Sequence, residues 1–338
     1  MKTALFYETL EDKKVRCFLC NHFCIIPSNK TGICGVRKNE EGVLYSLVYG
    51  KVVAQHLDPI EKKPLYHFLP KSWSYSFSTV GCNFKCDFCQ NFEISQAPHL
   101  YENIMGRSVS PKEIVSISLE EGAKSISYTY TEPTIFFEFA YDCAKEAVKY
   151  GLKNVFVSNG YMSKQALDYI KPYLHGINVD LKAFNENFYK KFCKAKLQPV
   201  LDNLKYLKEL GIWIEITTLL IPGENDNPQE LRELAQFIKN ELGPEIPWHV
   251  SRFYPAYKLL NKEITPVETL QRAYFIGKEV GLYYIYIGNL PGNTQENTYC
   301  PNCNYLLIER YGFRVLKIDL KEDSTCPNCG FFIHGVWK

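Results

Sequence analysis

The run Ser74-Tyr75-Ser76-Phe77-Ser78-Thr79-Val80-Gly81-Cys82-Asn83-Phe84-Lys85-Cys86-Asp87-Phe88-Cys89 decides how the rest of the chain is read. Its first half is a short β-rich run that ends at a glycine. Its second half sets three thiols in the spacing Cys-x3-Cys-x2-Cys, with no fourth close by. Four-iron clusters and zinc knuckles normally take four protein ligands. Three clustered thiolates can hold three irons of a cubane and leave the fourth open to a substrate. The competing reading is a zinc site completed by a distant residue.

Outward from this run the chain alternates strand-like and helical stretches. Strands are predicted at Ser74–Val80, Ser125–Thr131, Asn154–Ser158, Ile177–Leu181, Trp213–Leu220, Trp248–Phe253 and Tyr283–Gly288. Amphipathic helices are predicted between them, near Pro111–Glu121, Ile135–Tyr150, Ser163–Pro172, Leu201–Leu210, Pro228–Leu242 and Pro266–Val280. Repeated βα units with Gly/Pro punctuation imply an α/β fold with parallel strands. Six units are too few for a closed eight-stranded barrel, so an open, partial (β/α)6 TIM-like barrel is expected. In such folds functional side chains gather at the C-terminal strand ends, which is where the cysteine loop falls.

At 338 residues the chain has room for about two domains, or one barrel with appendages. We divide it into a Cys-rich N-terminal module (1–65), the partial barrel (66–292) and a C-terminal rubredoxin-like or zinc-ribbon module (293–338). Lys+Arg (39) nearly balances Asp+Glu (37), which counts against a nucleic-acid footprint. The 13 cysteines fall mostly in Cys-x2-Cys and Cys-x3-Cys units, a metal-binding pattern of reducing compartments rather than a disulfide framework. No window approaches the ~18 apolar residues of a membrane span, and the N-terminus lacks a signal-peptide apolar run. A cytoplasmic protein is expected, with no membrane partner.

Cys82, Cys86 and Cys89, with Phe88 directly before the last cysteine, resemble the motif of the radical S-adenosylmethionine (SAM) superfamily. The resemblance implies a 4Fe-4S cluster on these cysteines, whose open iron is chelated by S-adenosyl-L-methionine. It also implies reductive cleavage of SAM to methionine and a 5′-deoxyadenosyl radical that takes hydrogen from a substrate. Within the superfamily the chain is most similar to the pyruvate-formate-lyase-activating-enzyme-like group, in the subgroup found beside Memo- and AMMECR-type proteins. Those proteins are the partners this implies, together with an electron donor such as flavodoxin or ferredoxin and a protein or peptide substrate.

Other strand ends carry polar groups that the resemblance assigns to SAM. Tyr130-Thr131-Glu132-Pro133 stands where many family members have Gly-Gly-Glu-Pro, so Glu132 would accept from the SAM ammonium; the local alternative is a helix-start carboxylate. Ser158-Asn159-Gly160 offers a polar pair for the ribose or carboxylate, or plain turn chemistry. Asp180 and Lys182, two apart at a strand end, point the same way. The resemblance makes Asp180 an acceptor or cation ligand and Lys182 a SAM carboxylate partner; the alternative is a surface ion pair. His249 shares a strand face with Ser251 and matches an activase position that contacts SAM, although a lone histidine is more often a satisfied core group.

Two further cysteine sets flank the barrel. Cys300-Pro301-Asn302-Cys303 and Cys326-Pro327-Asn328-Cys329 are paired knuckles for a tetrahedral sulfur site, fit for zinc or a single rubredoxin-like iron. Cys17, Cys20, Cys24 and Cys34 supply four more thiols, with His22 beside them, for zinc or an auxiliary cluster. Cys143 and Cys193 fall in helical patterns and read as core or surface thiols. Against the enzyme reading stand radical modification of a small molecule and, from another class, a non-catalytic metal-binding or RNA-binding scaffold.

Overall fold

A computed structural model describes residues 1–101 and 103–338. Its centre is an eight-stranded sheet in the order Ile285–Gly288, Trp248–Arg252, Trp213–Leu220, Gly176–Asp180, Lys153–Ser158, Ser125–Tyr128, Trp73–Ser78 and Ala54–Pro59. All but the last run parallel, each beside its sequence neighbour, as short right-handed crossovers dictate. Ala54–Pro59 pairs antiparallel with Trp73–Ser78 at one edge. Among the described residues no ladder joins the two edges, so the sheet curls as an open, partial barrel.

Each predicted strand is present to within two or three residues at its ends. The reason is visible in burial: Ser125–Tyr128 and nearly all of Gly176–Asp180 are buried, as in a sheet covered on both faces. The predicted helices are present too, at Pro111–Glu120, Phe137–Ala147, Lys164–Ile170, Gln198–Glu209, Pro228–Phe237 and Val267–Val280. Their starts are chemically defined. Ser110 and Glu113 form a reciprocal capping box before a proline at the first helical position, and the side chains of Ser163 and Asn227 cap two more helices.

The sheet reaches into the segment read as the N-terminal module, since its antiparallel edge begins at Ala54. Residues before it form small antiparallel ladders (Tyr7–Thr9 with Val15–Cys17, and Arg37–Glu40 with Val43–Ser46) that share one apolar core with the barrel. A buried ion pair, Arg37 to Glu138 at 3.0 Å, ties them to the helix Phe137–Ala147. The C-terminal hairpin of Leu306–Tyr311 and Arg314–Ile318 packs in a separate cluster with Tyr66, Tyr284 and Tyr286. No helix among the described residues is long and apolar enough to cross a membrane.

Candidate active site

The cysteine loop leaves the strand Trp73–Ser78 at its C-terminal end. Gly81 makes the exit with φ +99°, and a Cβ there would meet Val36 Cγ1 at 2.6 Å and the Cys34 carbonyl oxygen at 3.1 Å. Only glycine suits both the backbone and the close approach. The loop is then held from outside: the Lys85 N–H donates to the Cys193 carbonyl at 3.0 Å and the Asp87 N–H to that of Phe192 at 2.9 Å. Cys193 is a core thiol at a helix end, as its sequence pattern implies; in addition its backbone braces the loop and its side chain is buried beside Cys86.

Cys82, Cys86 and Cys89 line a cavity of about 240 Å³ at the strand ends. Donors already point at two of the sulfurs. The Phe84 N–H lies 3.4 Å and Asn159 Nδ2 3.5 Å from Cys82 Sγ, and Ser95 Oγ lies 3.3 Å from Cys89 Sγ. Hydrogen bonds to sulfur suit thiolates that share charge with bound iron, so the donor set fits a cluster.

Asn159, Asp180 and Lys182 line the same cavity. Lys182 is nearly buried, 3.0 Å from Asp180 Oδ2, with its ammonium 5.9 Å from the centre of the Phe88 ring. Burial works against its charge, but Asp180 and the thiols of Cys86 and Cys193 outweigh this and keep it protonated well above the ordinary lysine range. Its carbonyl accepts from Asn225 Nδ2 at 2.6 Å, which anchors the loop that carries it. Tyr130, with φ +65°, turns the strand end so that its carbonyl accepts from Asn91 Nδ2 at 2.7 Å. Such a left-handed tyrosine is strained and is held by its surroundings.

Glu132 and His249 are not brought to this cavity. The Glu132 carboxylate is fully buried behind the wall and accepts from the N–H of Asn159 at 2.7 Å, Ser158 Oγ at 2.8 Å, and the N–H and hydroxyl of Thr134 at 3.1 and 2.5 Å. Burial pushes its carboxyl pKa up and these bonds hold part of the rise back. Ser158 turns toward it, leaving Asn159 to face the sulfurs. His249 Nε2 donates to Glu215 Oε2 at 2.7 Å and lines a second cavity of about 430 Å³. Thr217, Ser251, Asn289 and Gln90 line both cavities, so the two adjoin. Sequence reading missed Thr217, Asn289 and Gln90. Thr217 reaches the site because its strand pairs it in register with His249, a tertiary relation that sequence spacing does not carry.

The C-terminal knuckles meet as expected for a single ion. All four sulfurs lie within 4.8 Å of one another, with Cys300 and Cys329 at 3.6 Å and Cys303 and Cys326 at 3.7 Å. The Asn302 side chain and the Phe331 backbone hold the Cys329 thiol down to about 6. The set fits one tetrahedral zinc or iron. The N-terminal cysteines line a small apolar cavity of their own.

Residues 76–238 match the family model for the radical SAM superfamily. The chain belongs to the radical SAM superfamily. An uncharacterized protein of Methanocaldococcus jannaschii is 48% identical over 324 residues, which is 96% of this chain and 96% of that protein. The pyruvate formate-lyase-activating enzyme of Clostridium pasteurianum is 21% identical over 203 residues, 57% of this chain and 82% of that enzyme. Among solved structures, Streptococcus suis SuiB bound to S-adenosylmethionine aligns with a TM-score of 0.50 at 13% identity. The alignment covers 68% of this chain and 52% of SuiB, and the likeness is one of fold. Radical SAM membership accounts for a site of three cysteines with an open position, and brings with it a 4Fe-4S cluster and SAM as cofactors.

Proposed function

We propose that this radical SAM enzyme is activase-like and takes hydrogen from a residue of a protein or peptide, with glycine the residue the resemblance favours. When bound, the cluster on Cys82, Cys86 and Cys89 supplies the electron that cleaves SAM and so generates the hydrogen-abstracting radical. The protein's own part is to bind, orient and exclude water. Lys182 offers a fixed ammonium to the SAM carboxylate. Asp180 offers an acceptor to its amino group or a ligand to a cation beside it. Asn159 holds Cys82 from one side and faces SAM from the other. Ser158 and Glu132 act as positioning groups that set the Asn159 backbone, and His249 walls the cleft next door.

The observation that carries a macromolecular substrate is that the two cavities adjoin, with Gln90, Thr217, Ser251 and Asn289 common to both walls. The second opens beside the first and is bordered by Tyr66, Tyr254 and Leu290, with Phe313 from the C-terminal hairpin on its rim. Phe313 is 45% exposed and the neighbouring Tyr311 63% exposed, which leaves an apolar hairpin tip beside the cleft. Flavodoxin or ferredoxin as electron donor and Memo- or AMMECR-type proteins as partners belong to the same proposal.

The test is deuterium transfer. Reduced, cluster-loaded enzyme and SAM are mixed with the protein fraction of the source cells grown on glycine deuterated at Cα. Deuterium in 5′-deoxyadenosine is the expected result. Label arriving only from the small-molecule fraction would refute a protein substrate.

A further inference from the structure

The three cysteine sets differ in how far apart they hold their sulfurs. A tetrahedral ion with metal–sulfur bonds of about 2.3 Å sets its ligands about 3.8 Å apart, and the C-terminal four, at 3.6 and 3.7 Å, keep that spacing. Among the described residues they are the one group of three or more such ligands gathered within 4.8 Å. The sulfurs of Cys82, Cys86 and Cys89 do not all gather within 4.8 Å, as suits ligands of three different irons. They serve as an internal standard for a cluster-sized site.

Cys17, Cys20, Cys24 and Cys34 behave like the standard and not like the knuckles. All four line one cavity, yet no three of their sulfurs gather within the single-ion distance. The rest of the lining is apolar at Leu19, Ile26 and Ile33. It also holds two buried donors without acceptors: Arg37 Nε, on a side chain 2% exposed, and Asn83 Nδ2, on a residue 1% exposed. A buried N–H left without an acceptor is destabilising, and cluster sulfur is an acceptor that removes this cost. Asn83 also joins the two sites. Its carbonyl accepts from His22 Nε2, between Cys20 and Cys24, at 2.8 Å, and its side-chain oxygen accepts from Asn159 Nδ2 at 3.3 Å.

We propose that Cys17, Cys20, Cys24 and Cys34 hold a second, polynuclear iron–sulfur cluster, set against the first through the His22–Asn83 contact. This assignment does not depend on the nature of the substrate.

The test counts acid-labile sulfide, which neither zinc nor a rubredoxin-like iron carries. The full chain with Cys82→Ala, Cys86→Ala and Cys89→Ala is reconstituted anaerobically with iron and sulfide and desalted. About two to four sulfides per chain should remain, with a paramagnetic signal after dithionite reduction. They should vanish when Cys17→Ser, Cys20→Ser, Cys24→Ser and Cys34→Ser are added. The unmutated chain gives the same answer without any folding risk: about six to eight sulfides if both clusters are present, about four if only the first is. A triple variant that binds only zinc or sulfide-free iron would overturn the proposal, and so would an unmutated chain with about four sulfides.

Discussion

Glu132→Gln separates two roles for a carboxylate that the motif and the geometry place differently. Oε1 accepts three of the four hydrogen bonds, from the Thr134 N–H, the Thr134 hydroxyl and Ser158 Oγ. Oε2 accepts the Asn159 N–H. Glutamine keeps the shape and can satisfy the first three with its one oxygen. Its amide N–H₂ must then face the buried Asn159 N–H, so one bond to a charged acceptor is lost and two donors oppose each other. A buried donor left in this way costs about 2–3 kcal/mol. With a urea m value near the upper end of the range, the unfolding midpoint should fall by roughly 0.5–1 M. SAM binding, measured by anaerobic equilibrium dialysis, should weaken only a few-fold, through displacement of Asn159. An unchanged midpoint together with a hundredfold loss of SAM affinity would refute the positioning role and return Glu132 to direct contact with the SAM ammonium.

Three further outcomes follow from the same geometry. Lys182→Met removes a charged donor from the cavity while Asp180, 36% exposed at its side chain, keeps its solvent. SAM should bind about 10–100-fold more weakly in dialysis with little change in unfolding, and unchanged affinity would count against a SAM role. His67 is wholly buried between the His334 carbonyl and the Tyr286 hydroxyl, and burial lowers its pKa to about 4. The unfolded chain takes up the proton first, so His67 contributes stability above pH 6.5 that is lost as pH falls toward 4. Between pH 7 and 5 the parent should lose about 2 kcal/mol more than His67→Gln in urea titrations. Cys326→Ser, at a fully buried knuckle sulfur, should lower metal content by one ion per chain and expose the segment beyond residue 293 to limited proteolysis.

The barrel was legible because its strands are buried on both faces and its helices begin at Pro, Ser and Asn signals that read locally. The edge strand Ala54–Pro59 was not. Gln55, His56 and Asp58 break any apolar alternation, and its pairing with Trp73–Ser78 is a tertiary fact. In the site, Asp180 and Lys182 were readable because strand periodicity places residues two apart on one face. The direction of Glu132 was hidden, since it depends on the left-handed turn at Tyr130 and on donors from Ser158 and Asn159 on the next strand. His249 was misleading for a similar reason: its partner, Glu215, lies on the neighbouring strand, where sequence spacing carries no signal.

The most direct measurement is 5′-deoxyadenosine formation by anaerobically reconstituted protein given SAM and dithionite, followed by mass spectrometry. The expected result is one methionine for each 5′-deoxyadenosine, abolished by Cys82→Ala, Cys86→Ala or Cys89→Ala. Product that persists in those variants, or none from a fully loaded protein supplied with its substrate fraction, would contradict the assignment of the three-cysteine cavity as the radical-generating site.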